Sequence, residues 1–232
     1  MSEAAGVSKP KGTLYIVATP IGNLEDITLR ALRVLREVEA IACEDTRQTI
    51  KILNKYGLKK RLISYYQGRE RQRLPEIMKI LREGREVALV SDGGTPGISD
   101  PGFPLIREAI KEGFRVSPIP GPSALSAALS ASGLSTHRAL FIGFPPAKRE
   151  AARKLLGSLR NEEATLVFYL PARRALEFLD MISGVLGNRQ VVLAREMTKV
   201  YEEFIRGTCL ELSATLKSRL LKGEVTVIIQ GN

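Results

Sequence analysis

From Thr13 to Pro118 the chain alternates short runs of Val, Ile and Leu with stretches of helical period, the pattern of strands and cover helices in a parallel α/β layer structure. Strands are predicted at Thr13–Thr19, Ala40–Cys43, Leu62–Tyr65, Glu86–Val90 and Arg115–Pro118. Between the first two, Leu29, Leu32, Leu35 and Val38 recur at helical spacing while Arg30, Arg33, Arg36 and Glu37 occupy the opposite face, which predicts an amphipathic cover helix. The segment Pro118-Ile119-Pro120-Gly121-Pro122 interrupts any regular element and reads as a hinge.

A second α/β unit follows. Ser123–Ser132 and Ala147–Leu159 read as helices, and Leu140–Phe144 and Ala164–Leu170 as strands. Further strands are predicted at Gln190–Arg195, Tyr201–Gly207 and Val225–Gln230, antiparallel because their connections are too short for helical crossovers. Thr208 with Glu211 three residues on forms a capping-box pattern. The expected class is α/β with two α/β domains, a mostly parallel sheet over 12–119 and a mixed sheet over 120–232, preceded by a disordered tail over 1–11.

With 232 residues and 44% hydrophobic content, the chain has material for such a two-domain core. Its N-terminal residues lack the apolar centre of a secretory signal, and no run approaches the roughly 20 apolar residues that cross a bilayer, so a cytoplasmic location without membrane association is expected. Lys and Arg number 35 against 25 Asp and Glu, a formal charge of +10, which favours a polyanionic partner but also fits a generally basic surface. Cys43 and Cys209 each sit among apolar neighbours and read as buried thiols. The lone His137 makes no metal set, and no metal is expected.

The segment with the most evident chemistry is Ser91-Asp92-Gly93-Gly94-Thr95-Pro96-Gly97-Ile98-Ser99-Asp100-Pro101-Gly102, directly after the strand pattern Val87–Val90. Its glycines and prolines preshape a loop whose backbone a ligand can approach closely, at the strand edge where open α/β sheets bind ligands. It contains neither GxxxxGK[ST] nor GxGxxG, which disfavours a nucleoside triphosphate. S-adenosylmethionine suits it better, because backbone amides and carbonyls, small apolar walls and a carboxylate or hydroxyl satisfy its groups.

Four ordered blocks, Val17-Ala18-Thr19-Pro20-Ile21-Gly22-Asn23-Leu24, Glu44-Asp45-Thr46-Arg47, Ser91 to Gly102 and Pro120-Gly121-Pro122-Ser123-Ala124, resemble the signature blocks of the tetrapyrrole-methylase superfamily. Within it they are similar to the branch that methylates a cytidine ribose of small-subunit (16S) ribosomal RNA. The resemblance runs from about Thr13 to about Gln230. It implies a cofactor cleft between two α/β domains and S-adenosylmethionine as cofactor, held by Thr19, Pro20, Ile21, Asp92, Gly93, Gly94, Thr95, Ile98, Ser123 and Ala124, with further contacts from Leu170 and Thr226. It also implies a homodimer. Relatives acting on tetrapyrroles usually have Asp, in a GGDP sequence, where this chain has Thr95, which points toward the RNA branch. Members of that branch often continue past the last strand into an extension that this sequence, ending at Asn232, does not contain; if the extension grips RNA, activity here would rely more on the core surface.

Glu44, Asp45 and Arg47 fall where a strand gives way to a helix, so a carboxylate there can orient or deprotonate a ribose hydroxyl while Arg47 holds a phosphate; they read equally as a helix cap with a local ion pair. Arg69, Arg71 and Arg73 follow Tyr65 and Tyr66, a combination that suits stacking on unpaired bases. Arg195 and Lys199 belong to another block similar to the branch and are expected on the RNA side; the alternative is a polar hairpin turn. Lys148, Arg149, Arg153 and Lys154 read as a solvated helix face. The partner implied is small-subunit ribosomal RNA or the 30S subunit; a corrin or porphyrin methyltransferase and a non-catalytic RNA-binding relative are the alternatives.

Overall fold

The computed structural model describes residues 12–232; the tail expected over 1–11 lies outside the described residues. The chain forms two compact units, the first ending at Ser123 and the second spanning Ala124–Asn232.

The first unit follows the order β1 (Thr13–Val17), α1 (Leu29–Glu37), β2 (Ala40–Cys43), α2 (Thr46–Lys55), β3 (Arg61–Ser64), α3 (Glu70–Arg82), β4 (Val87–Val90), α4 (Phe103–Lys111) and β5 (Arg115–Ile119). All strand pairs are parallel, in the order β3-β2-β4-β1-β5. Every residue of β2 and β4 is buried, which is why these strands read as unbroken apolar runs rather than as alternating ones. Val34 and Leu35 of α1 and Ile52 and Leu53 of α2 pack with Ile41, Cys43 and Val90 on one face of the sheet. On the other face, Ile77 and Leu81 of α3 and Leu105 of α4 pack with Leu14, Ala42 and Leu89.

The strand order creates a switch point. The connection from β1 runs toward β2 on one side, while the connection from β4 crosses β1 to reach β5 on the other. The loops leaving the adjacent carboxyl ends of β1 and β4 therefore diverge and open a crevice, the place where doubly wound sheets bind ligands.

The second unit contains α5 (Ala124–Ser132), β6 (Ala139–Gly143), α6 (Arg149–Ser158), β7 (Thr165–Pro171), α7 (Ala175–Leu186), β8 (Gln190–Arg195), β9 (Glu203–Thr208), α8 (Cys209–Lys217) and β10 (Glu224–Ile229). Its sheet has the order β6-β7-β10-β8-β9; β6 and β7 are parallel, and the other pairs are antiparallel. Leu166, Phe168 and Leu170 of β7 and Val225 and Val227 of β10 meet Phe178 and Ile182 of α7 and Leu212 of α8 in one core.

Element boundaries differ from the expected ones where tertiary contacts intervene. The first strand leaves its ladder after Val17, because Thr19 turns to bridge Gly94. Phe144 lies beyond β6, after a bulge. Tyr201 and Glu202 precede β9 rather than opening it, as the Glu202 carboxylate accepts from the Thr198 amide at 2.6 Å. Tyr65, expected to stack on bases, is buried at 1% exposure in the core, where burial pushes its phenol up to about 12.

The capping box of α8 forms as the spacing predicts: Thr208 Oγ1 accepts from the Glu211 amide, and the Glu211 carboxylate accepts from the Thr208 amide at 2.8 Å. Thr208→Ala is expected to lower stability by about 1 kcal/mol, read as a shifted midpoint with unchanged slope in urea unfolding.

Candidate active site

The crevice of the first unit is closed at its floor by a pair of backbone bonds. The Thr19 amide donates to the Gly94 carbonyl at 2.9 Å, and the Gly94 amide donates to the Thr19 carbonyl at 2.8 Å. Thr19 Oγ1 donates to the Ser91 carbonyl at 3.0 Å, so the loop after β1 and the loop after β4 are tied at two levels. Gly94 adopts φ +93, a region open to glycine and strained for other residues. At Gly93, a Cβ would lie 3.1 Å from the Pro20 carbonyl oxygen and 3.4 Å from Ile21 Cα, so a side chain there would have to push the two loops apart by a few tenths of an ångström.

The hinge segment joins the same assembly. Thr95 Oγ1 donates to the Pro122 carbonyl at 3.4 Å, and a Cβ on Gly121 would stand 3.1 Å from that of Ala18. The block after β2 arrives through Asp45, whose amide donates to Asp92 Oδ1 at 3.0 Å. Folding thus brings together blocks far apart in sequence at the carboxyl edge of one parallel sheet.

Asp45 is the N-cap of α2, accepting from the Arg47 amide at 2.8 Å, and it also holds the Arg47 guanidinium through Nε at 3.0 Å and Nη2 at 2.6 Å. Those bonds from Arg47, first its side chain and then its amide, lower the Asp45 carboxyl to about 2. Of the two readings of this block, the cap and ion pair are therefore realised for Asp45 and Arg47. Glu44 is left as the half-buried carboxylate beside them.

Burial pushes the carboxyls of Glu44, Asp92 and Asp100 up. Asp92 and Asp100 add to the shift at Glu44, and Asp45 adds to the shift at Asp92. The buried Ser91 hydroxyl makes no well-formed hydrogen bond and sits beside Asp100, partly offsetting that rise. Among the described residues, no group of His, Cys, Asp or Glu is arranged to hold a metal ion. An acidic rim over an open backbone cradle suits an organic cation.

These raised values set a pH dependence. Ionising Asp100 costs more in the folded chain than in the unfolded one; the penalty is absent at low pH, develops as pH rises through the raised folded value, and is complete above it. Asp100→Asn is therefore expected to raise the thermal midpoint at pH 8, with the gain vanishing toward pH 4. An equal gain at both values would show that ionisation is not the cause.

A family profile described as Tetrapyrrole (Corrin/Porphyrin) Methylases matches residues 13–213. The chain belongs to that family. A Halalkalibacterium halodurans protein named Ribosomal RNA small subunit methyltransferase I is 49% identical to this methylase over 222 residues, covering 96% of this chain and 77% of that protein. A Thermotoga maritima protein of the same name is 46% identical over 220 residues, covering 95% of this chain and 99% of that protein. Among solved structures, a uroporphyrin III C-methyl transferase from Thermus thermophilus has a TM-score of 0.65 at 18% identity, covering 94% of this chain and 97% of that one. Diphthine synthase has a TM-score of 0.69 at 16% identity, covering 94% and 90%. Both share the fold of this methylase.

The remaining residues singled out from the sequence lie as follows. Ile98 is 44% exposed in the glycine-rich loop. Ser123 ends the first unit and Ala124 opens α5. In the second unit, the Leu170 side chain faces the core, and Thr226 is buried in β10 opposite Tyr169. The Arg69 guanidinium lies 5.6 Å from the centroid of the exposed Tyr66 ring, and Arg73 pairs with Glu76 at 2.9 Å, while Arg71 is exposed.

Arg195 and Lys199 are engaged in tying the β8–β9 connection. Arg195 donates to the Lys222 carbonyl at 2.8 Å, and Lys199 bridges Glu196 at 3.0 Å and Glu224 at 2.9 Å. Asp100 was not singled out from the sequence. Its place in a loop opened by buried Ser91 was the available signal, but only folding shows that its carboxylate is desolvated.

No helix among the described residues is long and apolar enough to cross a membrane.

Proposed function

We propose that this methylase transfers a methyl group from S-adenosylmethionine to the 2′-hydroxyl of a cytidine in small-subunit ribosomal RNA, acting in the cytoplasm as a homodimer on the RNA or the 30S subunit. The observation that carries the RNA substrate is identity of 46% to a protein of that name across 99% of its length. The site geometry supports the cofactor: Thr19, Pro20, Ile21, Gly93 and Gly94 make a cradle that side chains at the glycines would fill, and Glu44, Asp92 and Asp100 give it negative charge.

Bound there, S-adenosylmethionine supplies an electrophilic methyl group on a cationic sulfur. The chain's own task is to hold the ribose hydroxyl in line with it and to accept the proton, since positioning and proton removal are the protein's main levers in such a transfer. With both Asp45 oxygens taken by Arg47, the proton falls to Glu44, while the Asp45–Arg47 pair fixes the start of α2 and presents the exposed guanidinium to a backbone phosphate. Arg69 and Arg71 contribute further positive charge for RNA.

Small ribosomal subunits from cells lacking the enzyme, incubated with methyl-labelled S-adenosylmethionine and mapped by nuclease digestion, test this directly. Label in 2′-O-methylcytidine is expected. Cofactor binding without transfer to the subunits would overturn the RNA assignment.

A further inference from the structure

Phe144 is 60% exposed, yet its ring rests edge-on against Tyr169 with centroids 5.7 Å apart, and Phe141 meets the same Tyr169 ring at 4.9 Å. Regular strand alternation would send Phe141 and Phe144 to opposite faces. The register shift between Phe141 and Gly143, with Gly143 at φ +77, breaks that alternation and turns Phe144 back onto the Tyr169 side.

The loop beyond is stiff. Pro145 is buried, Pro146 follows it, and Arg174 Nη2 donates to the Pro146 carbonyl at 3.2 Å. A rigid loop thus holds an aromatic ring in solvent above two others.

Cations follow it closely in the chain, and Arg174 ties the segment after β7 to the same loop. Lys148, Arg149 and Arg153 follow on the loop and the first turns of α6, and Arg173 adjoins Arg174 after β7; all of these are exposed except Arg174, which is half-buried. None of Lys148, Arg149, Arg153 and Arg173 takes part in an ion pair among the described residues, whereas Arg195, Lys199 and Arg219 of the same unit are all paired. Between Pro145 and Ser158 the acidic residue is Glu150, and it forms no such pair either.

We infer that Phe144, backed by Tyr169 and Phe141, is a stacking platform for an unpaired base of the substrate RNA, with Lys148, Arg149, Arg153 and Arg173 receiving the flanking phosphates. The inference rests on the RNA reading above. A ring with an open face binds any base, and neighbouring cations that lack acid partners are matched by a phosphate backbone. A second copy of the chain fits worse where the patch would lie on a two-fold axis, because like charges would then face one another.

The test measures binding of a short fluorescein-labelled, cytidine-rich single-stranded RNA by anisotropy, beside S-adenosylmethionine affinity, thermal midpoint and sedimentation. Phe144→Leu, which keeps apolar bulk but removes the ring, is expected to weaken RNA binding about tenfold with cofactor affinity unchanged. Phe144→Tyr is expected to restore binding, and Arg173→Ala to reduce the slope of log affinity against log salt by about 1. Full RNA affinity in Phe144→Leu would overturn the platform alone. Loss of RNA binding together with a change from dimer to monomer would assign the patch to a second copy. If the unaltered protein binds neither this RNA nor small subunits, the RNA reading fails and the platform with it.

Discussion

Gly94→Val is expected to weaken S-adenosylmethionine binding by on the order of a hundredfold or more while leaving the chain folded. Gly94 holds φ +93 and exchanges both of its backbone hydrogen bonds with Thr19. A β-branched residue resists that conformation by about 1–2 kcal/mol, and relief comes by breaking the bridge that joins the two loops. The added side chain also projects toward Ile21, whose Cγ2 lies 3.6 Å from the Cβ position, and so narrows the space along the cradle. Calorimetric titration with the cofactor reads the loss. Gly133→Val supplies the control: Gly133 has φ +78 with nothing within 4 Å of its Cβ position and belongs to the second unit, so it brings the same β-branched residue to a positive φ outside the glycine-rich loop. Unchanged affinity in Gly94→Val, or equal loss in both variants, would show that the glycine-rich loop does not hold the cofactor.

Glu44→Gln is expected to lower kcat by about 10²–10⁴-fold, with a much smaller loss of cofactor affinity because Asp92 and Asp100 keep the cradle acidic. The substitution keeps shape and removes the proton acceptor. Burial, then the neighbouring Asp92 and Asp100, hold the Glu44 carboxyl above its ordinary value, which makes it a stronger base than a solvated carboxylate. The rate of the unaltered enzyme should therefore rise with pH through that raised value, and the rise should be missing in Glu44→Gln. A variant with a normal rate, or one retaining the same acid limb, would transfer the proton role to another group, with Asp100 next in line by burial and position.

Much of the architecture was legible because apolar strand runs and turn residues are local signals. Val87–Val90 followed by a glycine-rich loop announced a buried central strand with that loop at its carboxyl end, and the strand is buried and the loop bridges Thr19 there. The Thr208 capping box was equally readable, since its partners lie three residues apart. What sequence could not rank were residues whose meaning depends on distant neighbours. Tyr65 and Tyr66 look alike in a string, yet Tyr65 is buried in the core while Tyr66 lies at the surface beneath Arg69. Arg195 and Lys199 resemble free RNA-binding cations until β10 supplies Glu224 and the carbonyl of Lys222 lies within reach of Arg195. Lys148 and Arg149, which read as an ordinary solvated face, stand beside an exposed aromatic that a bulge has turned.

The sequence by itself determined the α/β class, the chain order of the strands, the family blocks and the residue types of the ligand loop, because these depend on local periodicity and on glycine and proline geometry. Only the tertiary structure decided that β4 inserts between β2 and β1, which makes the switch point at which Thr19 meets Gly94. It likewise decided that Asp45 is committed to Arg47 and Glu44 is not. Strand order, desolvation and ion pairing are set by groups far apart in the chain, and their free energies exist only once those groups are brought together.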